Sequence, residues 1–537
     1  MNIYQIITER MMAVVAALDL GQITDSDLRA SLSFCDMQFG DVASNIALTS
    51  TKKVNIAPQE LARQIAHALP DDMTVLSADV AGPGFINIRL RPQVWLEYAQ
   101  NIGPDYFCKT QSSPKNVNIE FISANPTGPL VLVNAWGGYY GDILANIFAS
   151  QGFRVSREYY LNDGGNQITQ LGKAIQQACG KKFEEEVSKE LYRGDYVNET
   201  AEKIIQEYGS ADTVIKSDPQ QIGDKAKEII FTSYIKPALH QIGIHHEHVF
   251  RETSLNNRIT VERIRQAGLL KESDGATWLD GEKAGLDHDE VLIRSTDSQD
   301  TYFLKDISYQ INKLETRQYD TAITIVGPDH HGQAKRLSKT LELLGVRGFV
   351  PLWTQTVRLI KDGVEFKMSK RRGNYIVLDE FLEKVPSDTA RFFFAMRDTN
   401  SHFDMDLDIV AAQNSHNPLY YVLYSTVRAH SILAKADPKE LEMATITNLT
   451  DKQVELLRGF EQIANSIRLA TETYQVHPIL HQMIEQARNF HDWYEHTPIL
   501  KADNQSHRIS HMAFLIMYIE VMESFLKLLG ITPLRRM

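Results

Sequence analysis

The sequence predicts a multidomain α/β protein: a parallel-sheet domain carrying a helical insertion, with a small α+β domain before it and an α-helical bundle after it. Three observations carry that expectation. The chain has 537 residues, too many for one hydrophobic core, and at about 150 residues per domain it divides into three or four units. Between about 109 and 408 short β-rich runs alternate with polar loops and helical patterns, which implies parallel strands joined by crossover helices. From about 409 onward the apolar period is helical almost throughout.

The elements follow in order. Residues 1–108 form the α+β unit: Gln59–Leu69 has a helical pattern, and Gly82-Pro83-Gly84 launches the alternating run Phe85–Leu90. Ile86, Ile88 and Leu90 fall on one face of that run, as in a strand packed on helices. Residues 109–408 form the parallel-sheet domain, with strands expected at Val117–Ile122 and Thr321–Val326. Within it, 181–254 is charged and mostly helical in pattern, and its run Glu184, Glu185, Glu186, Lys189, Glu190 reads as a solvated helix face of an insertion. In the bundle, 409–537, Leu456, Phe460, Ile463 and Ile467 recur at helical spacing, as do Met512, Leu515, Ile519, Met522 and Leu526. The last helix is expected to stop at Gly530, with Pro533 beyond.

Composition excludes several classes. With 43% hydrophobic and 23% charged residues, and 22 Phe, 21 Tyr and 5 Trp, the chain is neither disordered nor fibrous. No repeat suggests a solenoid or propeller. A net charge of -12, from 56 Lys plus Arg against 68 Asp plus Glu, provides no overall basic balance, so any polyanion must meet a local patch. Cys35, Cys108 and Cys179 lie too far apart in sequence for a zinc knuckle and give no disulfide framework, which fits a reducing compartment. The only apolar run in the first twenty residues, Met11–Leu18, is bounded by Glu9, Arg10 and Asp19. Neither a signal peptide nor a spanning helix is expected there, no membrane association follows, and a cytoplasmic location is the expectation.

Two segments carry chemistry. After the Val117–Ile122 strand, Ser123-Ala124-Asn125-Pro126-Thr127-Gly128-Pro129-Leu130 turns into a helix containing Gly137, Gly138 and Gly141. A strand–turn–helix of this kind offers backbone N–H groups and a dipole end to phosphate, although such turns also arise for steric reasons alone. The second segment, Phe366 to Asn374, sets four cations in six residues, Lys367, Lys370, Arg371 and Arg372, around Ser369. Lysines on such a loop neutralise charge developing on a triphosphate; a basic surface loop is the plainer reading, and Lys367-Met368-Ser369-Lys370 is more specific than that. Asp329-His330-His331 lacks a third ligand at suitable spacing, so no metal site is assigned. Its place after the Thr321–Val326 strand puts it beside a nucleotide crevice.

On these residues the chain resembles the arginyl-tRNA synthetases, class I enzymes that bind ATP on a Rossmann-type sheet through a "HIGH" turn and a "KMSK" loop. Besides Lys367–Lys370, the resemblance rests on 118–129, on Arg157-Glu158-Tyr159-Tyr160-Leu161-Asn162-Asp163 and on Gly275-Ala276-Thr277-Trp278. It continues through 301–307, Asp329-His330-His331-Gly332, 388–393, Asn417-Pro418-Leu419-Tyr420-Tyr421-Val422 and the closing Arg535-Arg536-Met537. The resemblance implies catalytic roles for Lys367, Ser369 and Lys370. It implies ATP contacts at Pro126, Thr127, Gly128, Pro129, Asn134, His330 and Met368. Asp306 and Tyr302 are implied at the arginine guanidinium, and Glu120, Ser123 and Asn125 at the amino-acid head; Gln310 stands where the family often has His.

The same resemblance implies that L-arginine, ATP with Mg2+, and an arginine tRNA are the partners, and a monomer is expected. The bundle would bind the anticodon and the N-terminal domain the tRNA elbow. Tyr420, Tyr421, Tyr424, Arg428, Trp493 and Tyr494 offer surfaces for stacking bases, although most aromatics at helical spacing are core. Pro386 replaces a common Gly before the helix that begins near Asp388.

One departure cuts against this. Where the family continues Gly-Pro-Leu with His-Val-Gly-His-Ala-Arg, this chain has Val131-Leu132-Val133-Asn134-Ala135-Trp136. Both signature histidines and the signature glycine are gone; Asn134 alone keeps an amide donor. Loss of one transition-state donor costs about 10²–10³ in rate. With the Lys367–Lys370 loop and the arginine-pocket residues retained, the expected function is nonetheless an arginine–tRNA ligase. The alternative is a catalytically impaired, synthetase-like tRNA-binding protein, and the anticodon-type bundle argues against a third option, another nucleotidyl-transfer enzyme.

Overall fold

A computed structural model of the chain describes residues 2–71, 73–294, 299–328, 331–366 and 376–537. The N-terminal unit is a four-stranded antiparallel sheet, ordered Leu32–Phe34, Val42–Ser44, Phe85–Leu90, Val75–Ala81. Ile86, Ile88 and Leu90 are buried against its helices, as the alternation predicts.

Five parallel strands form the central sheet, in the order Phe349–Trp353, Thr321–Val326, Asn116–Glu120, Arg154–Leu161, His248–Arg251. From Asn116–Glu120 the chain winds one way through two further strands, then returns to lay Thr321–Val326 on the other side. That reversal is a topological switch point, where open α/β sheets bind ligands beyond the strands' carboxyl ends. Thr324 is the lateral neighbour of Glu120 there, and Glu120 of Glu158.

The glycines after the first strand have a packing role. A Cβ on Gly141 would sit 2.4 Å from the Phe121 ring, and one on Gly138 would sit 2.8 Å from Ile122 Cδ1. Side chains there would push the helix Leu132–Ser150 off the sheet.

The segment 181–254 is helical through Gln241, and Glu185–Glu190 buries none of its residues. Two boundaries differ from the sequence reading. The helix Asn166–Ala178 packs into the same body, its Gly172 against the backbone of Pro219 and Gly223. At the other end, His248–Arg251 is an edge strand of the central sheet. Four residues with two adjacent apolar positions, Val249 and Phe250, inside a charged stretch carry no strand period that separates them from helix.

Four long helices make the terminal bundle: Pro418–Leu433, Asp451–Thr473, His477–His496 and Gln505–Leu528. The last is long and apolar enough to cross a membrane by composition, but 67% of its apolar stretch is buried, as in a core helix. Gly530 follows it at φ 71°. Arg391 joins bundle to sheet domain: buried, it donates to Asp142 Oδ2 at 2.6 Å and to the carbonyls of Leu529 and Ile242. The N-terminal unit docks on the same bundle through Tyr98, whose hydroxyl donates to Glu461 Oε2 at 3.0 Å.

Candidate active site

A cavity of about 760 Å³ opens at the switch point, within the size range of small-molecule sites. Of the residues expected to bind the amino acid, Glu120, Ser123, Asn125, Tyr302, Asp306 and Gln310 all line it. Two elements aim them. The first strand ends at Glu120, and Ile122 and Ser123 follow with φ of 70° and 40°. This left-handed backbone is costly for a β-branched residue and persists where neighbours fix it. It turns Ser123 Oγ to donate to Glu120 Oε1 at 3.0 Å while accepting the Tyr160 N–H, also at 3.0 Å. The second element is the helix Tyr302–Ile311, capped by the Thr301 side chain and widening to π geometry over Asn312–Thr316. It sets Tyr302, Asp306, Tyr309 and Gln310 along the cavity wall.

The carboxylates differ in their partners. Glu120 accepts from Lys313 Nζ at 2.6 Å and from Thr324 Oγ1 at 3.0 Å. Glu252 accepts from Lys305 Nζ at 2.6 Å and from the Tyr160 hydroxyl at 3.1 Å. Asp306 receives the Gln333 amide N–H and, among the described residues, forms no ion pair. Burial, with the negative charges of Glu120 and Glu252 nearby, pushes its carboxyl up to about 7, against the Gln333 hydrogen bond. Gln310 is buried with its Oε1 unpaired, which leaves an acceptor on the wall. Behind Tyr309, Glu158 is clasped by Arg317. Burial opposes ionisation of Glu158, but the Arg317 and Lys313 cations hold its carboxyl below the usual range.

At the other end the lining is more apolar, with Val131, Leu132, Val133, Val326, Phe349, Pro351, Val357 and Ile376 beside Asn134. The turn is less open to phosphate than the sequence suggests. Leu132 N–H donates to the Ile376 carbonyl and Leu378 N–H to the Leu130 carbonyl, both at 2.9 Å, so Leu130–Leu132 pairs with Ile376–Leu378. Val131 N–H donates to Asn134 Oδ1 at 2.9 Å. With the carbonyl end of Asn134 held in this cap, its Nδ2 bonds nothing among the described residues. Pro126, Thr127, Gly128 and Pro129 fall outside the cavity lining. Thr127 is buried, and its carbonyl accepts the Tyr196 hydroxyl of the inserted helices at 3.0 Å, so this turn supports the wall from behind.

Lys367, Met368, Ser369, Lys370 and His330 lie outside the described residues. The ends of that loop are fixed: Phe366 N–H donates to the Leu359 carbonyl at 2.7 Å, and Ile376 pairs with the turn.

Sequence reading missed Lys313, Lys305, Glu252, Tyr160 and Gln333. Lys313 was within reach of it, because Tyr302, Asp306, Tyr309, Gln310 and Lys313 recur at helical spacing on one face. Glu252 had no local signal.

A second cavity, of about 790 Å³, lies on the bundle and is lined in part by Tyr420, Tyr424, Arg428, Tyr494 and Met537. Tyr420 and Tyr424 stack at 13°, and the Arg428 guanidinium lies 4.4 Å from the Tyr494 ring centre. Trp493 is instead fully buried, and Tyr421 packs on His491.

Three family models match in order along the chain: an arginyl tRNA synthetase N terminal domain over 6–90, a class I (R) tRNA synthetase catalytic domain over 104–402, and a DALR anticodon binding domain over 422–537. The chain is 33% identical over 518 residues to the arginine–tRNA ligase of Nitratidesulfovibrio vulgaris, covering 92% of this chain and 93% of that one. It is 35% identical over 522 residues to the arginine–tRNA ligase of Staphylococcus epidermidis, covering 93% and 92%. Among solved structures, Thermus thermophilus arginyl-tRNA synthetase shares the fold, with TM-score 0.71 at 17% identity, 97% of this chain and 100% of that one being covered.

Proposed function

Because the chain belongs to the arginyl-tRNA synthetase family, we propose that it is an arginine–tRNA ligase, and that the cavity at the switch point is where arginine meets ATP. The arginine carboxylate attacks the α-phosphorus; a P–O bond forms, the α–β anhydride bond breaks, and pyrophosphate leaves. The 3′-terminal hydroxyl of the tRNA then attacks the carbonyl of the arginyl adenylate, and AMP departs. Such chemistry depends chiefly on positioning and charge neutralisation.

The observation that carries the reading is the state of Asp306. Glu120 and Glu252 are each neutralised by a lysine, whereas Asp306 has no cationic partner among the described residues. A half-buried, desolvated carboxylate without a counter-charge is a receptor for one, and a guanidinium matches its fork geometry. Tyr302 stands one helical turn away on the same wall. Gln310 Oε1, Glu120 and Asn125 offer acceptors to the α-ammonium group.

Lys367 and Lys370 then neutralise the pyrophosphate, and Ser369 shapes the loop between its two fixed ends. Asn134 Nδ2 faces the phosphates in place of an imidazole. Magnesium would accompany the triphosphate as part of the substrate and would supply further neutralisation of its charge; among the described residues no cluster of three or more His, Cys, Asp or Glu could hold a metal ion. The bundle cavity, with stacked tyrosines and an arginine, suits splayed bases of a tRNA anticodon loop. We place the protein in the cytoplasm as a monomer, where its three substrates are at hand.

The impaired tRNA binder is the weaker reading, because a protein that only binds tRNA has no use for a carboxylate-lined amino-acid cavity. The test is charging of an arginine tRNA transcript with labelled arginine and ATP, beside Asp306→Asn. Removing the partner of a buried charge costs roughly 3 kcal/mol, so the variant should lose about 10²-fold in kcat/KM for arginine. Equal charging by both proteins would refute the assignment.

A further inference from the structure

Lys313 is wholly buried, with side-chain exposure of 0%, so it is shielded from a ligand by Glu120 and Tyr309. Its ammonium lies 2.6 Å from Glu120 Oε2, 3.4 Å from Thr324 Oγ1 and 4.1 Å from the centre of the Tyr309 ring. The π-helical widening over Asn312–Thr316 carries it, and such widenings recur at functional sites. Burying a lysine is costly unless the charge it meets is needed there. The amino-acid end of the cavity shows the need. Three carboxylates line it, Glu120, Glu252 and Asp306, and two of them are bound by ammonium groups, those of Lys313 and Lys305. With Asp306 ionised, the described groups carry a net charge of minus one.

We propose that Lys313 sets this residual charge and thereby acts as a specificity-determining residue, matching the site to a guanidine that keeps both its α-ammonium and its α-carboxylate, of net charge plus one, and excluding carboxylate-free guanidines of net charge plus two. Lys313 works through Glu120 and is a positioning residue. While Lys313 and Thr324 engage Oε2 and Ser123 engages Oε1, Glu120 has room for one further donor. Without Lys313 it would be an uncompensated buried carboxylate, and a second cation would be drawn in strongly, because charges interact far more in the interior than in water. The inference rests on the arginine reading of this site and adds to it the basis on which decarboxylated analogues are refused.

The experiment is calorimetric titration of the full-length protein with L-arginine and with agmatine, its decarboxylated analogue, for the unaltered chain and for K313M, K313R, E120Q and E120Q/K313M. The unaltered protein should prefer arginine. K313M should reduce the arginine-to-agmatine affinity ratio at least tenfold, and K313R should keep it. E120Q should raise the ratio, and the double variant, whose site returns to minus one, should bring it back towards the unaltered value even though both affinities fall. If K313M does not fold, the comparison of E120Q with E120Q/K313M decides. A K313M protein that loses affinity for both ligands in equal proportion, or an E120Q/K313M ratio equal to that of E120Q, would overturn the proposal and leave Lys313 a purely structural residue. Failure of the unaltered protein to bind arginine at all would overturn the substrate reading itself, and the charge match with it.

Discussion

Asp306 shows how one residue links stability to function. Its carboxyl sits near 7, mainly because it is buried and secondarily because Glu120 and Glu252 are close. A guanidinium binds the ionised form, so the KM for arginine should fall as pH rises through about 7, and Asp306→Asn should flatten that dependence. Stability runs the other way. The folded carboxyl titrates above its ordinary value, so between about pH 4 and 7 the folded state binds more protons than the unfolded chain, and this group makes the protein less stable as pH rises through that window. Asp306→Asn should therefore raise the thermal midpoint near pH 8 and do little near pH 5; a midpoint unchanged at both would contradict the account. Tyr302 and Asp306 were legible in the sequence through the family motif at 301–307, since their spacing alone fits a surface pair on any helix equally well. Glu252 was not, because the sheet brings it in from a distant strand end.

At the level of elements, the segment Val131–Asn134 is held by two devices. It pairs with Ile376–Leu378, and Asn134 caps its own helix by accepting the Val131 N–H. The two halves of the Asn134 amide can be separated by mutation. Asn134→Asp keeps the capping acceptor and loses the donor, so it should preserve the thermal midpoint while lowering kcat by about 10² or more. Asn134→Ala loses both and should also cost about 1 kcal/mol of stability. Equal kcat for Asn134→Asp and the unaltered protein would remove Nδ2 from the chemistry. The sequence showed the helix start and the glycines, but it could not show that Gly138 and Gly141 are there for contact with Ile122 and Phe121. Nor could it show the pairing with Ile376–Leu378, a contact between segments far apart in the chain. On the packing view Gly141→Ala should destabilise the protein by roughly 1–3 kcal/mol, measurable by denaturant unfolding.

Across the whole molecule, the order of the three units was legible because each has its own period: alternation, strand–helix alternation, then a helical repeat. Their junctions were not, since they depend on single long-range contacts such as Arg391 with the Leu529 carbonyl and Tyr98 with Glu461. Of the bundle aromatics, periodicity could not separate Trp493, which is core, from Tyr424 and Tyr494, which flank Arg428 at a cavity. Stacking is worth about 1–3 kcal/mol per base. Tyr424→Ala should therefore raise the KM for tRNA by about tenfold or more, more steeply at low salt once Arg428 is also removed, while arginine affinity stays unchanged. A matching loss of arginine affinity would show that the bundle had been disrupted rather than its surface altered.

The central claim is that a turn without imidazoles still supports adenylation in a site built for arginine. Charging of an arginine tRNA transcript should be compared between the unaltered protein and V131H/V133G/N134H. The account predicts turnover by the unaltered protein and its loss on Asp306→Asn. Charging by the revertant alone would contradict it, and would mean that the present role of this scaffold is binding.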